Sequence, residues 1–342
     1  MHSTVLQKSE TKPSNAIASL AAFNKALADP LRLTILRLLM DDSFAVLELS
    51  QVLNIRQSAL SHHLKILANA HLVDRRREGN SIFYRRAFIG EGHPYRELKT
   101  CVFEQIDALP ISSGIAQAIK RLQLERSQLS LSFFNRNAGK FREKQGLIVA
   151  HEEYSRTLHE VIDSLPLPEQ PQVLEVGPGE GQMLTELAAR FSHLTAVDNS
   201  NDMLKRSEKA LESAGFEHVE FILGDTSIAC SKKIRNDLIL IEMVLHHISS
   251  PAETFKDCCE LLNAQGFLLL VDLAPHGQDW VRDSCGDLWL GFEKQELDRW
   301  AERAGLKVEQ ASYLQLRNGF QIQIRVFKKL VSNNLTSLNV PS

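Results

Sequence analysis

The chain has 342 residues and a formal net charge of −3, and hydrophobic residues make up 44% of it. This composition excludes a disordered or fibrous chain, and the length predicts two domains. The sequence contains no run of 18 apolar residues, and its first fifteen residues lack the apolar segment of a secretory signal. None of the five cysteines forms a C-x-x-C pair. We therefore expect a cytoplasmic protein with no membrane partner.

The charge is divided unevenly along the chain. Residues 1–128 carry a net charge of +5, and residues 129–342 carry −8. An excess of five positive charges is compatible with an ordinary solvated surface. The placement of the arginines therefore has to decide between that interpretation and a nucleic-acid interface.

The first predicted elements are short helices. Asp29 and Pro30 supply an N-cap and a first helical residue, and a tight turn is predicted at residues 54–56. Apolar residues at helical spacing predict helices over 17–28, 31–40, 44–54 and 57–73. The last two, joined by the turn, have the arrangement of a helix-turn-helix.

The fourth predicted helix has two different faces. Leu60, Leu64 and Leu67 recur at helical spacing and are expected in the core. The opposite face carries small, polar and basic side chains, those of Ser58, Ser61, His62 and Lys65. Such a face can form hydrogen bonds to base edges in a DNA major groove.

An arginine-rich hairpin is predicted next. The dipeptide Gly79-Asn80 is a turn signal that pairs Arg77 with Ile82, Arg76 with Phe83 and Arg75 with Tyr84. The resulting ribbon carries five guanidinium groups, from Arg75, Arg76, Arg77, Arg85 and Arg86. These groups can bind DNA phosphates. The alternative is a solvated edge hairpin whose charges prevent aggregation.

The segments ALADPLRLTILRLL, SALSHHLKILANAHLV and REGNSIFY together resemble the winged helix-turn-helix of the ArsR/SmtB transcriptional regulators. The resemblance covers about residues 16–108. It implies a homodimer on a palindromic double-stranded DNA operator, with the fourth helix in the major groove and the hairpin, or wing, on the backbone. The implied groove contacts are Gln57, Ser58, Ser61, His62 and Lys65, and the implied wing contacts are Arg76, Arg77 and Asn80.

The sequence departs from this family at the metal site. Many members bind a metal through cysteines in a C-V-C-D-L pattern, whereas residues 45–49 read A-V-L-E-L and offer no thiolate. Adjacent His62 and His63 point about 100° apart on a helix and cannot chelate one ion. Because His93 and Cys101 are isolated, no metal is expected.

Residues 109–134 are predicted to connect the two domains. Pro110 and Gly114 mark a break, and helical periodicity follows it. Such a helix can link the halves or extend a dimer interface, and the sequence leaves both open. Residues 331–342 are polar and predict a loose tail.

Strand-like and helix-like segments alternate over residues 135–330. The strand patterns are 172–176, 193–198, 219–225, 237–244 and 266–273, followed by KVEQASYL and QIQIRVF. This alternation predicts the doubly wound α/β class, with a parallel sheet covered on both faces. Ligands of such sheets lie across the carboxyl ends of the strands.

The first of these strands leads into a glycine loop. Gly177, Gly179 and Gly181 let a ligand approach backbone amides at a helix N-terminus. A dinucleotide motif would have its third glycine one position later, where Gln182 stands. The carboxylate of Glu175 beside the loop disfavours a phosphate and suits an amino group.

Acidic residues end the next two strands. Asp198 can accept hydrogen bonds from both hydroxyls of a ribose. Asp225, with Thr226 beside it, can accept one from the amino group of an adenine. An amine, a ribose and an adenine without a pyrophosphate describe S-adenosylmethionine (SAM).

Residues 135–330 resemble the class I SAM-dependent methyltransferases, with a Rossmann-like sheet, through E-V-G-P-G-E-G, A-V-D-N-S, L-G-D-T and V-L-H-H-I in that order. A glycine loop alone also occurs in NAD and nucleotide sites. The resemblance implies SAM, or its product S-adenosylhomocysteine (SAH), as the ligand. The implied contacts are Glu175, Gly177, Gly179, Gly181, Asp198, Asn199, Asp225, Thr226 and Met243.

The methyl acceptor is left open. His246 or His247 can act as a general base, or they only shape the pocket. Neither an N/D-P-P-Y nor a Pro-Cys motif follows the fourth strand, so methylation of DNA is not supported. Trp280, Trp289 and Phe292 are expected either to cap the site or to pack in a core.

Two functions remain. The first is a transcriptional repressor whose methyltransferase-like half senses SAM or SAH and transfers methyl groups as well. The second is a small-molecule methyltransferase with an autoregulatory DNA-binding domain. The missing cysteine site favours the first, because the DNA-binding domain then needs another effector.

Overall fold

The computed structural model describes residues 13–78, 81–90, 93, 95–137 and 145–330. The chain divides into two compact units, Met1–Leu122 and Gln123–Ser342. This division falls inside the region 109–134 that was predicted to connect two domains. Within the described residues, no helix has the length and apolar character needed to cross a membrane.

The first unit contains five helices and the start of a sixth among its described residues. They are α1 (Pro13–Leu27), α2 (Pro30–Leu38), α3 (Val46–Leu53), α4 (Gln57–Asn69), α5 (Arg96–Asp107) and α6 (Ser113–Asn137), whose range crosses the division between the units. A sheet of order β1-β3-β2 completes the unit, with β1 (Phe44–Ala45), β2 (Val73–Glu78) and β3 (Ser81–Arg86) antiparallel to their neighbours.

Two predicted helix bounds change because residues are recruited into this sheet. Phe44 and Ala45 pair with β3 and so do not open the third helix. Val73 pairs with Arg86, and the fourth helix ends at Asn69. The predicted N-cap is confirmed, since Asp29 Oδ1 accepts a hydrogen bond of 2.9 Å from the backbone N–H of Arg32.

Three buried cations of the first unit satisfy carbonyl groups at or just beyond helix C-termini. Arg32 Nε donates to Ala26 O in α1 at 2.6 Å, and Lys99 Nζ donates to His71 O, just beyond α4, at 2.5 Å. Arg86 Nη2 donates to Leu36 O in α2 at 2.6 Å and to Asp107 Oδ1 at 2.7 Å. Grouping Arg86 with the phosphate-binding arginines of the ribbon was therefore wrong, because its guanidinium stabilises two elements of the core.

The second unit is built around a seven-stranded sheet of order β6-β5-β4-β7-β8-β10-β9. Its strands are β4 (Gln172–Val176), β5 (His193–Asp198), β6 (Val219–Leu223), β7 (Asn236–Glu242), β8 (Leu262–Leu273), β9 (Leu306–Gln315) and β10 (Gln321–Lys329). Its helices are α7 (Ser155–Ser164), α8 (Gln182–Ala188), α9 (Asn201–Ala214), α10 (Thr226–Ser231), α11 (Pro251–Leu261), α12 (Trp280–Cys285) and α13 (Lys294–Ala304).

The predicted doubly wound α/β class is confirmed, with one difference. Strand β10 runs antiparallel to both β8 and β9, whereas the alternation of strands and helices predicted a parallel sheet. A short turn between β9 and β10 forces this reversal, because a parallel pair needs a long crossover. The strand order reverses beside β4, so the topological switch point lies between β4 and β7.

Candidate ligand cavity and DNA-facing helix

A cavity of about 510 Å³ lies in the second unit at the carboxyl ends of β4, β5, β6 and β7. Its volume is within the range of small-molecule sites. Eight of the nine predicted ligand contacts line it, namely Glu175, Gly177, Gly179, Asp198, Asn199, Asp225, Thr226 and Met243. The residues thus converge as the strand-end argument expects, with Gly181 as the exception.

The three glycines of the loop have different tasks. Gly177 and Gly179 adopt positive φ of +70° and +58° and line the cavity. Gly181, with φ of +84°, opens α8, and a Cβ built on it would lie 2.9 Å from Ser207 Cα in α9. Gly181 therefore permits close packing of two helices, and its position off the cavity corrects the expectation of a direct contact.

Glu175 places a buried carboxylate against the cavity. Its exposed fraction is 2%, and its Oε2 atom has no hydrogen-bond partner among the described residues. Burial raises the pKa of Glu175 well above its ordinary value, and the nearby carboxylates of Glu242 and Glu186 raise it further. A ligand that brings a positive group to Oε2 would relieve both effects.

A cluster of side chains that the motifs did not predict surrounds Glu242. Tyr154 donates to Glu242 Oε1 at 2.5 Å, and His151 Nδ1 lies 2.9 Å from the same oxygen. His151 Nε2 lies 3.0 Å from Glu186 Oε1. Burial would lower the pKa of His151, but the two carboxylates outweigh it and raise the pKa to about 9. The cluster is therefore held together by a charged imidazolium.

The acidic residues at the ends of β5 and β6 differ in their surroundings. Burial raises the pKa of Asp198 to about 6, although Asp198 Oδ1 accepts a hydrogen bond of 2.7 Å from the Ser200 amide. Asp225 is exposed, and its Oδ1 caps α10 by accepting from the backbone N–H of Ile228 at 3.1 Å. Thr226 donates to Asp257 Oδ2 at 2.6 Å. Asp198 is the more sensitive of the two to a ligand, because it is half-buried whereas Asp225 is exposed.

The two adjacent histidines also differ. His246 is buried off the cavity, with Nδ1 2.8 Å from Asp272 Oδ1. Burial would lower the pKa of His246, but Asp272 and Asp287 outweigh it and raise the pKa to about 9. His247 lines the cavity, and burial followed by the charge of His246 holds its pKa well below the ordinary value. Near neutral pH, His246 is therefore charged and His247 is neutral.

These histidines and Asp287 bring three potential ligand atoms within 4.8 Å of one another. The imidazole nitrogens of His246 and His247 lie 4.0 and 3.9 Å from Asp287 Oδ1, which are ion-pair distances and exceed metal-ligand bonds. The expectation of no metal stays a prediction. Trp289 and Phe292 are buried and Trp280 is 37% exposed, and none of the three lines the cavity.

The predicted groove contacts lie on α4 of the first unit. Leu60, Leu64 and Leu67 are fully buried, while the side chains of Gln57, Ser58, Ser61, His62 and Lys65 are all exposed. The register of the hairpin is as predicted, with Arg77 opposite Ile82 and Arg76 opposite Phe83. Arg77 is exposed and Arg76 half-buried, and Asn80, together with Gly79, lies outside the described residues.

Family models match both parts of the chain. The model for bacterial regulatory proteins of the arsR family matches residues 29–75, and a methyltransferase-domain model matches residues 149–311. The transcriptional activator HlyU of Vibrio cholerae is 42% identical over 79 residues, which are 23% of this chain and 69% of HlyU. A tRNA 5-carboxymethoxyuridine methyltransferase of Escherichia coli is 30% identical over 112 residues, 32% of this chain and 43% of that enzyme.

Solved structures resemble the second part of the chain. The N-methyltransferase NodS from Bradyrhizobium japonicum, in complex with SAH, is 17% identical with a TM-score of 0.42, covering 52% of this chain and 86% of NodS. The chain covers less than half the length of the Escherichia coli methyltransferase but more than two thirds of HlyU. It therefore belongs to the arsR family of bacterial regulatory proteins and carries a SAM-dependent methyltransferase domain after its DNA-binding domain.

Proposed function

We propose that the protein is a transcriptional repressor whose affinity for its operator is set by SAM or SAH in the cavity of its methyltransferase domain. One observation carries this proposal, which is that the glycine loop and the acidic strand ends meet in a single cavity. Residues 45–49 of the DNA-binding domain lack the cysteines through which many members of the family bind a metal. The effector is therefore assigned to the other domain.

The residues present suit SAM. The ammonium group of its methionine part would be accepted by the orphaned Glu175 Oε2, and its ribose hydroxyls by Asp198. Asp225 and Thr226 line the same cavity and would serve the adenine. The cavity wall also presents carboxylates to the glycine loop, which disfavours the pyrophosphate of NAD. SAM would supply an electrophilic methyl group when bound.

A ligand regulates DNA binding only if its affinity differs between the DNA-bound and the free states of the protein. A coupling factor of about tenfold corresponds to about 1.4 kcal/mol. SAM and SAH differ by one methyl group and one positive charge. A site lined by carboxylates is able to distinguish them.

We also propose that the repressor is a homodimer on a palindromic operator. Two helices of the first unit expose apolar side chains that a partner copy would cover. In α1, Ile17 is 75% exposed and Leu20 37%, and in α5 Leu98 is 41% exposed. Loss of the dimer on substitution of Ile17 and Leu98 by serine, measured by sedimentation, tests this assignment.

The second candidate function is methyl transfer to a small acceptor. The neutral imidazole of His247 on the cavity wall favours it, because a neutral imidazole can take a proton from an acceptor. His246 is unsuited to that task, since it is already protonated near neutral pH. The tRNA relative acts on a uridine, but the present chain is not assigned that acceptor.

The experiment is a titration of the protein onto its own upstream DNA at fixed salt, without ligand, with SAM and with SAH. A change of about tenfold in DNA affinity with either ligand supports a sensor. Equal affinities in all three titrations contradict it. The second candidate function, methyl transfer, would then be pursued by screening for an acceptor.

A further inference from the structure

Helix α6 has residues of both compact units. Its range, Ser113–Asn137, crosses the division after Leu122. In the first unit, Leu122 is 8% exposed and belongs to the apolar core, and Ile115 and Ile119 pack against that core. The part of α6 up to Leu122 is therefore a structural part of the DNA-binding domain.

The remainder of α6 belongs to the ligand cavity of the second unit. Ser127, Ser130 and Phe134 line the cavity. Ser130 Oγ donates to His247 O at 3.1 Å, and Gln123 Nε2 donates to Ser250 Oγ at 3.1 Å. This part of the helix therefore holds the segment that follows β7.

The same part of α6 also reaches the segment that follows β5. Asn135 Oδ1 accepts a hydrogen bond of 2.9 Å from Ser200 Oγ, two residues after Asp198. Phe134 packs against Met203 in α9 and places its ring 4.8 Å from that of His247. One turn of helix thus contacts the chain segments on either side of the proposed ligand.

The sequence of α6 supports an unbroken helix. Between residues 115 and 137 it contains neither glycine nor proline. These are the two residue types that most often interrupt a helix. Its hydrogen-bonded backbone can carry a shift at one end to the other, as helices do in other ligand-driven transitions. A displacement of the helix at Ser130 and Phe134 can therefore also move Leu122, which lies on the same helix.

We infer that α6 transmits ligand occupancy of the methyltransferase cavity to the DNA-binding domain. This inference rests on the proposed function. A ligand that changes the positions of the β5 and β7 segments changes the packing of Phe134 and Ser130 against them. This change in packing displaces α6 and with it Ile119 and Leu122, through which α6 packs in the core of the DNA-binding domain.

The test inserts Gly-Ser-Gly-Gly between Leu122 and Gln123 in the full-length chain. DNA affinity without ligand and SAM affinity without DNA are measured for wild type and variant, and DNA affinity is then measured with saturating SAM. The coupling factor is the ratio of DNA affinities with and without SAM, and we expect it to fall from about tenfold in the wild type to about one in a variant that still binds DNA and SAM separately. The control has the same insertion between Pro168 and Glu169, in an exposed loop, and should keep the wild-type coupling.

The outcomes separate the two proposals. Absence of coupling in the wild type overturns the proposed function. Coupling in the wild type that survives the insertion in α6 overturns the inference alone. A second measurement needs no variant: SAM should change amide hydrogen exchange along residues 113–122 as well as 123–137 of the wild type. A change confined to 123–137 would contradict transmission even if the inserted chain failed to fold.

Discussion

The exposed polar face of α4 and the ligand cavity present polar side chains in opposite ways. On α4, the predicted groove contacts are all exposed, Ser58 and Lys65 among them. In the cavity, Glu175 is buried and Asp198 is half-buried, and neighbouring groups and desolvation change their pKa values. Exposed groups keep their water and act one by one, whereas buried groups depend on their neighbours.

The comparison extends to the cations of the first unit. Arg75 and Arg86 lie on one hairpin, but the first is exposed and the second is 4% exposed against Asp107 and Leu36. Burial, and not residue type, therefore separates an arginine at the surface from an arginine in the core. The predictions below test this separation from the largest expected effect to the smallest.

The largest effect is expected for Arg86→Met. Removing the buried guanidinium deletes its hydrogen bonds to Leu36 O and Asp107 Oδ1, which should lower the free energy of unfolding of the first unit by about 3–5 kcal/mol. The matched variant Arg75→Met, at an exposed position of the same hairpin, should change it by less than about 0.5 kcal/mol. Urea denaturation measures both, and equal losses would contradict the burial argument.

Asp198→Ala should weaken SAM binding strongly. Loss of the acceptor for two ribose hydroxyls is expected to cost about 1.5–3 kcal/mol, or roughly 10-fold to 150-fold in dissociation constant. Calorimetry measures this change. The control Asp202→Ala removes an exposed carboxylate of α9 and should leave the affinity unaltered. Equal affinity of the Asp198 variant and the wild type would remove Asp198 from the site.

SAM binding should also depend on pH through Asp198. Because burial raises the pKa of Asp198 to about 6, the ligand-free protein protonates this group below pH 6, and the proton competes with the ribose. Through Asp198 alone, we expect the affinity to fall by up to about tenfold per pH unit below 6, and this contribution to vanish above it. Asp198→Asn should bind more weakly and lose this slope; a slope that persists would point to another group.

Lys65→Ala and Arg77→Ala should each reduce operator affinity severalfold. The Arg77 variant, which removes a predicted phosphate contact, should also lower the steepness of the salt dependence by about one. Since both side chains are exposed, the two free-energy changes should add to within about 0.5 kcal/mol in the double variant. DNA retention assays provide the measurement, with Lys209→Ala as an exposed control in the second unit. Full retention by both variants would refute the assignment of this surface.

Zinc and arsenite are expected to have no effect on DNA binding. Residues 45–49 carry no thiolate, so these ions have no ligand set at the place where family members bind them. The same retention assay with added metal checks this. Clear release of DNA would reveal a metal site, for which the buried group of His246, His247 and Asp287 would be the first to examine.

Most of the fold was predictable because it follows from periodicity. The buried faces of α4 and the strands β4 and β5 were correctly placed from the spacing of apolar residues alone. Among the bounds that differ from the prediction, Phe44 and Val73 are residues that pair with a distant strand. A local pattern carries no information about such a partner.

The candidate site was predictable where it lay on motifs and not elsewhere. The glycine loop, Asp198 and Asp225 follow strands, so their convergence could be inferred from topology. His151 and Tyr154 precede the first strand of the sheet, and no spacing related them to Glu242, 91 and 88 residues away. The separate roles of His246 and His247 likewise depended on Asp272 and the cavity wall.

By itself, the sequence determined the two domains, the α/β class and the residue types of both functional surfaces, because periodicity and strand-end motifs are local properties of the chain. Only the tertiary structure decided that Arg86 is a core cation, that Gly181 serves helix packing, and that α6 has residues in a domain core and in the ligand cavity. Burial and long-range contact depend on which distant segments meet. These contacts form only when the distant segments pack together, and no local pattern encodes them.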